Sequence, residues 1–289
     1  MLKLIIWDVQ HGSAAYLKTP NGKHIAIDLG ANSLNSWYQS FSPLRHLRTN
    51  YHITQLDDVI ITHPHLDHIE DILNFELLSP KVLHRPSHLN AEAIWSNNQN
   101  ADRDIRQRIE KYLEIDQRYR EPIPPGYDFA NPLDYGGVDV KIFSSAVLPT
   151  TNINNHSLVT VISYENCKVL FPGDNERLSW EQLLLSPDFH RAISDTDILI
   201  APHHGRDSGF YDGLFNFINP LLTVISDGRF SDMSATGRYG AVTRGWTVHC
   251  RRGFDQNRKC ITTRNDGVIE IDIGRDMSNG RSFISVNID

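Results

Sequence analysis

The clearest chemical pattern in this chain is the stretch of residues 63–68, which is HPHLDH. Imidazole nitrogens and carboxylate oxygens are ligands for divalent cations in proteins. Residues two apart in an extended segment point to the same side, so His63 and His65 can bind one ion. Asp67 and His68 follow at the start of a predicted helix and can reach a second ion beside the first. The motif therefore predicts a metal centre with two adjacent cation sites.

Three further stretches could complete this centre, because each lies beside an apolar run with the pattern of a strand. His156 precedes LVTVIS, Asp174 follows VLFPG, and His203 and His204 follow DILIAP. His63, Asp174 and His203 lie just past the carboxyl ends of predicted strands, where sites assemble in open α/β sheets. The predicted ligands are His63, His65 and His156 for the first ion, and Asp67, His68 and His203 for the second, with Asp174 between the two.

The mixed donor set also predicts the metal and the acid–base groups. Histidine with carboxylate suits Zn²⁺ best and Mn²⁺ next, because Ca²⁺ and Mg²⁺ prefer shells made of oxygen. Adjacent histidines on a turn point in different directions, so we expect only one of His203 and His204 to bind the ion. The strand-end position favours His203 as the ligand and leaves His204 to protonate a leaving group. Asp67 could orient the attacking water as well as bind a cation.

The elements that must position these residues alternate between strands and helices. Period-two runs predict strands in LKLIIWDV, AAYLKTP and KHIAIDLG, and further apolar runs predict a strand at 57–62 and several in the second half. Helical spacing recurs at 33–50, broken by Pro43, and after the HPHLDH motif. We therefore expect one α/β sandwich domain over residues 1–289, with an exposed helical insertion around 85–125 that ends in a proline-rich stretch.

The composition narrows the classes of protein and partner. With 289 residues, 40% of them hydrophobic, the chain can bury a substantial core, and its net charge of −7 excludes a uniformly basic nucleic-acid-binding surface. Three cysteines without a paired or metal-binding pattern suit a reducing compartment. No signal peptide is visible, and no stretch approaches the ~20 apolar residues of a membrane span. We expect a soluble cytoplasmic protein without a membrane segment.

One basic segment departs from this acidic average. Residues 229–264 contain eight basic and two acidic residues, a local charge of +6, with aromatic residues between them. This composition is typical of a surface that holds phosphates and stacks bases, although a solvated arginine-rich face gives the same pattern. The candidates for binding substrate phosphates are Arg238, Arg244, Arg251 and Arg252.

The motifs taken in order resemble the metallo-β-lactamase superfamily: THPHLDH at 62–68, GD at 173–174 and APHHG at 201–205. More narrowly, DVQHGSAAYL, IDLG, PLRHLR and NNHSLVTVI resemble the metallo-β-lactamase-like domain of ComEC-type competence proteins. The resemblance implies an αββα four-layer sandwich, a two-metal centre, and hydrolysis of an ester, a lactam or, in this branch, a nucleic-acid phosphodiester. The chain departs from the branch at residues 10–13, which are QHGS where the pattern D-V-G-Q-G-D is usual.

These observations lead to three hypotheses about function. The first is a binuclear metallohydrolase, a phosphodiesterase or nuclease acting on nucleic acid, with DNA favoured. The alternative is a hydrolase of a small molecule such as a cyclic nucleotide, a lactone or a thioester, which the net acidity favours. The third is a metal-stabilised accessory module without turnover, which the complete ligand set disfavours. Salt separates the first two, because KM for a nucleic-acid substrate rises steeply with ionic strength.

Overall fold

The computed structural model describes residues 1–31, 41–121, 134–228, 235–251 and 253–289. These residues form two β-sheets with helices against them. The strands are β1 (Leu2–Ile6), β2 (Ala15–Lys18), β3 (His24–Ile27), β4 (Asp58–Ile60), β5 (Val82–His84), β6 (Asp139–Phe143), β7 (Val159–Tyr164), β8 (Cys167–Phe171), β9 (Ile198–Ile200), β10 (Leu222–Ile225), β11 (Trp246–Cys250), β12 (Gln256–Arg258), β13 (Cys260–Thr262), β14 (Ile269–Arg275) and β15 (Ser282–Ile288).

The helices fall between these strands. The α-helices are α1 (Pro43–Asn50), α2 (Leu66–Ile69), α3 (Ala91–Ser96), α4 (Arg103–Arg118), α5 (Arg177–Leu183), α6 (Pro187–Ile193), α7 (Thr236–Val242) and α8 (Thr263–Asp266). Shorter 3₁₀ segments cover Glu70–Leu77, Ile153–His156, Pro202–Gly205 and Asp212–Asn216. The helix predicted after HPHLDH is thus a single α-turn, α2, that continues as 3₁₀. Among the described helices, none is long and apolar enough to cross a membrane.

Each sheet combines antiparallel and parallel strands. The first has the order β12-β11-β15-β14-β1-β2-β3-β4-β5 and the second the order β13-β10-β9-β8-β7-β6. The predicted hairpins β1-β2 and β2-β3 are antiparallel, with Ile6 opposite Ala15 and Ala15 opposite Ile27. Strands β3, β4 and β5 are parallel, and so are β8, β9, β10 and β13. Parallel strands place their carboxyl ends at one edge, where loops can carry a site.

The layers follow from the alternation of side chains along each strand. In β1, Leu4 and Ile6 belong to a buried cluster shared by the two sheets, whereas Ile5 packs with α1, α4 and the 3₁₀ segment 70–77. A third cluster joins the opposite face of the second sheet to α5 and α6. The order is helix, sheet, sheet, helix, which confirms the predicted αββα sandwich.

Pro43 begins a helix rather than interrupting one. It is the first residue of α1, where a fixed φ and a missing N–H cost nothing. The Ser42 side chain accepts a hydrogen bond from Arg45 N at 3.1 Å and caps the helix. The part of the predicted helix at 33–40 lies outside the described residues.

The predicted insertion contains the helices α3 and α4, and both contribute to the core. In α4, Ile109, Tyr112 and Ile115 are buried in the cluster against the first sheet. These residues are three apart and share one helix face, so the polar residues between them remain on the surface. The region is therefore part of the outer helical layer, and its proline-rich end at 122–133 lies outside the described residues.

Candidate metal centre

Histidine and aspartate side chains meet where strands of both sheets end. HPHLDH follows β4, Asp174 follows β8, and His204 follows β9. Asp67, His68, Asp174 and His204 each offer a ligand atom, and these four atoms all lie within 4.8 Å of one another. The structure thus brings together residues that the sequence places more than a hundred positions apart.

Asp174 lies buried at the middle of this cluster. Its Oδ1 is 3.2 Å from His68 Nε2, and its Oδ2 is 3.6 Å from His204 Nε2 and 3.9 Å from His63 Nε2. Burial alone would raise the pKa of the Asp174 carboxyl, but the facing imidazoles of His68 and His204 hold that pKa well below its usual range. Its two oxygens therefore stay charged and face different histidines, which is what a carboxylate shared by two cations requires.

His68 has one nitrogen fixed by the protein and one left for a ligand. Its Nδ1 is 2.8 Å from Asp28 Oδ2, and Asp28 also accepts hydrogen bonds from the backbone N and the hydroxyl of Thr62. Its buried Nε2 has no well-aligned hydrogen bond to the described residues and lies 3.2 Å from Asp174 Oδ1. A carboxylate on the far nitrogen is the usual way to orient a metal-binding histidine. These residues therefore fit a divalent cation.

Asp28 is a candidate site residue that the motifs did not indicate. It directly follows β3, is buried, and has a backbone φ of 56°. Burial would lower the pKa of His68, but the carboxylates of Asp174 and Asp28 raise it well above its usual value. The sequence signal was present in IDLG, an aspartate at the end of a buried strand, although such a residue is also common in ordinary turns.

His63 and His65 lie together, as the motif predicts. Their rings contact through His63 Nε2 and His65 Nδ1 at 2.9 Å. Burial lowers the pKa of both imidazoles, which favours the neutral form that binds cations. The side chain of Asn154 lies beside His65, and its buried Oδ1 has no hydrogen-bond partner among the described residues.

His156 does not join these ligands in the structure. Its Nδ1 is 2.8 Å from His88 Nε2, and its Nε2 is 3.3 Å from the carbonyl oxygen of Pro149, so both ring nitrogens are engaged. The reason is local geometry: successive residues of the 3₁₀ segment Ile153–His156 turn by about 120°, so Asn154 and His156 point to different sides. Asn154, rather than His156, reaches His65.

His203 and His204 occupy each other's expected positions: His204 lies among the candidate ligands, and His203 lies beside them. Both residues have left-handed backbone angles, with φ of 50° and 53°, so the chain bends sharply after Pro202. His204 Nε2 is 3.1 Å from Asp67 Oδ2, and its Nδ1 is 3.0 Å from the carbonyl oxygen of Ser226. His204, rather than His203, therefore lies beside Asp67, which was expected to share an ion with His203.

His203 instead lies at the side of the centre. Its Nδ1 is 3.1 Å from Glu176 Oε1 and 2.9 Å from Ser208 Oγ, while its Nε2 is 3.7 Å from Asp174 Oδ2. The hydrogen bond from His203 holds the pKa of Glu176 below its usual value. A carboxylate at Nδ1 and an Nε2 directed toward the candidate ligands are features of a proton-donating histidine.

The turn at residues 10–13 packs directly against the metal motif. A Cβ on Gly12 would come within 2.7 Å of the Asp67 carbonyl oxygen, and one on Gly30 within 2.6 Å. Ser13 N donates to that same oxygen at 3.1 Å. His11 Nε2 is 3.3 Å from Asp67 Oδ2. The stretch in which the chain departs from the branch pattern is therefore part of the site.

The basic segment at 229–264 does not form one surface in the described residues. It supplies α7, the first-sheet strands β11 and β12, and the second-sheet strand β13. Arg238 lies 3.1 Å from Asp207 and 3.3 Å from Asp212, and it stacks over the ring of Phe210. Acidic residues from elsewhere in the chain thus offset the positive charge counted along the sequence.

Arg251 and Arg244, which were also predicted to bind phosphate, contact groups of the protein instead. Arg251 forms ion pairs with Glu270 at 2.7 Å and Asp289 at 3.0 Å. Arg244 donates to the carbonyl oxygen of Asn219 at 3.0 Å, and Arg252 lies outside the described residues. The structure therefore does not bring Arg238, Arg244 and Arg251 together as a phosphate-binding set.

Comparison with known proteins extends these findings. Recombination protein 2 of Haemophilus influenzae is 24% identical over 261 residues, which are 87% of this chain and 29% of that protein. The chain thus spans less than a third of the length of this relative. A diphosphatase from the PhnP family overlaps 78% of this chain and 86% of its own, with 12% identity and a TM-score of 0.39. AidC, a dizinc quorum-quenching lactonase, overlaps 56% of this chain and 55% of its own, with 14% identity and a TM-score of 0.34.

The family is decided by the match to its sequence profile. Residues 41–205, more than half of the chain, match the metallo-beta-lactamase superfamily. The matched range contains HPHLDH, Asp174 and His204, and it ends at the glycine of HHG. The chain is therefore a member of the metallo-beta-lactamase superfamily and a metal-dependent hydrolase of that fold.

Proposed function

We propose that this protein is a binuclear phosphodiesterase that cleaves nucleic acid, with DNA as the favoured polymer. The observation that carries this proposal is the position of Asp174, whose two oxygens face His68 on one side and His63 and His204 on the other. A carboxylate shared in this way suits two neighbouring cations, and two-metal centres are common in enzymes that displace an oxygen at phosphorus.

Zn²⁺ is the metal we favour, with Mn²⁺ as the alternative, because the donors mix imidazole and carboxylate. Asp67, His68 and His204 would hold one cation, and His63, His65 and the buried Oδ1 of Asn154 the other, with Asp174 between them. When bound, such cations supply Lewis acidity to a water nucleophile and to the phosphate oxygens.

The remaining chemistry belongs to side chains of this chain. Asp67 Oδ2, held by His204 at 3.1 Å, would orient the attacking water. His203 Nε2 would donate a proton to the leaving oxygen, and Glu176 would stabilise the charged imidazole through Nδ1. This assignment reverses the sequence-based choice of His204 as the acid, because His203 has its second nitrogen on the carboxylate of Glu176, whereas that of His204 lies on the carbonyl oxygen of Ser226.

The choice of polymer depends on the curated relative. Its name refers to recombination, a process that acts on DNA, and the similarity covers most of this chain. Since the chain spans 29% of that protein, its DNA-related role is a proposal for this chain and not a property carried over. A small-molecule ester remains the alternative substrate, and ionic strength separates the two, as only cleavage of a polyanion should weaken steeply with salt.

The test is Asp174→Ala with Asp197→Asn as the matched control. Asp197 lies at the other end of β9, where its side chain accepts the Lys168 backbone N–H at 2.9 Å. We expect Asp174→Ala to lose bound metal and at least ~100-fold of kcat/KM on a chromogenic phosphodiester and on DNA, since shared ligands orient both cations. The control should keep both. Turnover that survives in Asp174→Ala with unchanged metal content would contradict the mechanism.

A further inference from the structure

Arg206, which directly follows the histidines of the metal centre, has an unusual environment for an arginine. Its NH1 is 3.5 Å from His203 Nε2, and its NH2 is 3.4 Å from His11 Nε2. His11 in turn lies 3.3 Å from the ligand Asp67, and its ring is 5.0 Å from that of His204. The guanidinium therefore spans the gap between two sides of the site, at its solvent-facing edge, where 52% of the His11 side chain is exposed.

We propose that Arg206 binds a phosphate oxygen of the substrate and makes the centre selective for anionic phosphoesters over neutral esters. This inference rests on the proposed function and names the group that would recognise its substrate. Arg206 was not among the arginines that the sequence indicated, because it lies outside the basic segment.

The present contacts of the Arg206 guanidinium are poor ones. Distances of 3.4 and 3.5 Å are at the upper limit for hydrogen bonds, and an imidazole nitrogen is a weaker partner than an anionic oxygen. A guanidinium has five N–H donors in a planar fork that matches two oxygens of a phosphate. Two of those donors face the ring nitrogens of His203 and His11 at long range. Phosphate oxygens could therefore replace the ring nitrogens as acceptors at little cost in free energy.

Other arginines of the chain differ in this respect. Arg238 and Arg251 each contact two carboxylates, and Arg85 lies 2.6 Å from Asp116. A phosphate would have to displace a carboxylate at each of those positions. Among the described residues, Arg206 contacts the imidazoles of His203 and His11, where the other three arginines contact carboxylates.

The backbone holds Arg206 in position for this role. Its N–H donates to the carbonyl oxygen of His203 at 2.9 Å, and its carbonyl accepts from Gly209 N at 3.1 Å. A Cβ on Gly209 would come within 2.5 Å of the Pro202 carbonyl oxygen, so the turn is closely packed. A side chain on such a turn starts from a fixed point beside the ligands, which lowers the entropy cost of binding.

The charge of the centre also favours a positively charged side chain at this place. Asp28, Asp67, Asp174 and Glu176 all contact histidines of the site. Four carboxylates balance the charge of two divalent cations, so the bound metals alone would leave little net attraction for an anion. The positive charge of Arg206 lies beside these groups and shifts that balance toward a negatively charged substrate.

The experiment compares the Zn²⁺-loaded wild type with Arg206→Ala and Arg206→Gln by calorimetric titration with inorganic phosphate. Arg191→Ala is the matched control, because Arg191 is an exposed arginine on the outer helix α6. We expect both Arg206 variants to raise the Kd for phosphate about 10-fold or more, as loss of a charge-assisted hydrogen bond does. The control should bind phosphate like the wild type, and all four proteins should hold the same amount of metal.

Kinetics then separate this inference from the proposed function. KM for bis(p-nitrophenyl) phosphate should rise by a similar factor in both variants, and kcat/KM should fall by a larger factor for this anionic diester than for the neutral p-nitrophenyl acetate. If phosphate binding depends on Arg206 but the wild type cleaves no phosphodiester, the proposed function fails and the anion site stands. Phosphate binding that is unchanged in both variants overturns the inference, and so does a loss of metal that accounts for the weaker binding.

Discussion

At the scale of single residues, the site depends on which nitrogen of each histidine is occupied by the protein. His68 has Nδ1 on Asp28 and Nε2 toward Asp174, and His204 has Nδ1 on the Ser226 carbonyl oxygen and Nε2 toward Asp67. His156 has both nitrogens engaged away from the ligands. A histidine can bind a cation only through a nitrogen that is directed toward the other ligands, so residue type alone did not separate these cases.

Asp28 gives a residue-scale prediction. Asp28→Asn keeps the size of the side chain but removes the carboxylate that orients His68, so we expect affinity for Zn²⁺ to fall about 10- to 100-fold. Asp57→Asn is the control, because Asp57 is also buried but pairs with Lys23 and Lys81 at the start of β4. Competition with a chromophoric chelator measures both affinities. Equal affinities in the two variants would show that Asp28 does not position the ligand.

At the scale of elements, three of the turns that carry the candidate site contain residues with left-handed backbone angles shortly after strands. Asp28 has a φ of 56°, Gly173 a φ of 57°, and His203 and His204 have φ values of 50° and 53°. Such angles cost of order 1–3 kcal/mol at a residue other than glycine, and they persist where packing and hydrogen bonds enforce them. These backbone angles therefore direct the side chains toward one point, whereas a strand that ended with ordinary angles would direct them elsewhere.

Gly173 gives the element-scale prediction. A Cβ there would come within 2.7 Å of the Ser157 Cβ and 2.8 Å of the Thr62 Cβ, in addition to the strain of its positive φ. We expect Gly173→Ala to lower the free energy of unfolding by about 2 kcal/mol or more and to weaken metal binding through the displaced Asp174.

Gly280→Ala is the control for backbone strain without crowding. Gly280 has a similar φ of 71°, and nothing lies within 4 Å of its added Cβ, so a loss of only about 1 kcal/mol with unchanged metal affinity is expected. Denaturant unfolding and a metal titration give both quantities. The packing argument is wrong if Gly173→Ala costs no more than Gly280→Ala.

At the scale of the whole molecule, the sandwich collects charges that are far apart in sequence. Arg251 at the end of β11 pairs with Glu270 in β14, and Arg238 in α7 pairs with Asp207. The local charge of +6 in the basic segment is therefore a property of the sequence window and not of a surface. The same folding brings Arg206 and His11 together at the metal centre.

Burial in the first sheet also makes stability depend on pH. Asp58, in β4, has its pKa raised from 3.8 to about 7, mainly by burial and next by the neighbouring charge of Asp57. The folded state then holds a proton that the unfolded state releases between about pH 4 and pH 7, so this group lowers stability as pH rises through that range. Asp58→Asn should remove the effect.

Thermal unfolding at pH 5 and pH 8 measures it. We expect the Tm of Asp58→Asn to match the wild type within a few degrees at pH 5 and to exceed it by on the order of 5 °C at pH 8. Asp139→Asn, at an exposed carboxyl in β6, should show no such difference. A Tm difference for Asp58→Asn that is the same at both pH values would contradict the raised pKa.

The sequence by itself determined the layered α/β sandwich and indicated the strand ends at which the candidate metal centre lies. Alternating apolar residues specify which face of each strand is buried, and HPHLDH, Asp174 and HHG all stand at strand ends. The spacing of Ile109, Tyr112 and Ile115 likewise matches the buried face of α4. The polar residues between them made the region resemble an exposed insertion.

Only the tertiary structure decided which side chains join the centre. Asn154 rather than His156 reaches His65, His204 rather than His203 reaches Asp67, and Asp28 orients His68. The deciding quantities are the direction of a side chain on a 3₁₀ turn or a left-handed turn and the partner that another strand supplies. Both depend on backbone angles and contacts between distant segments, which the order of residue types along the chain does not contain.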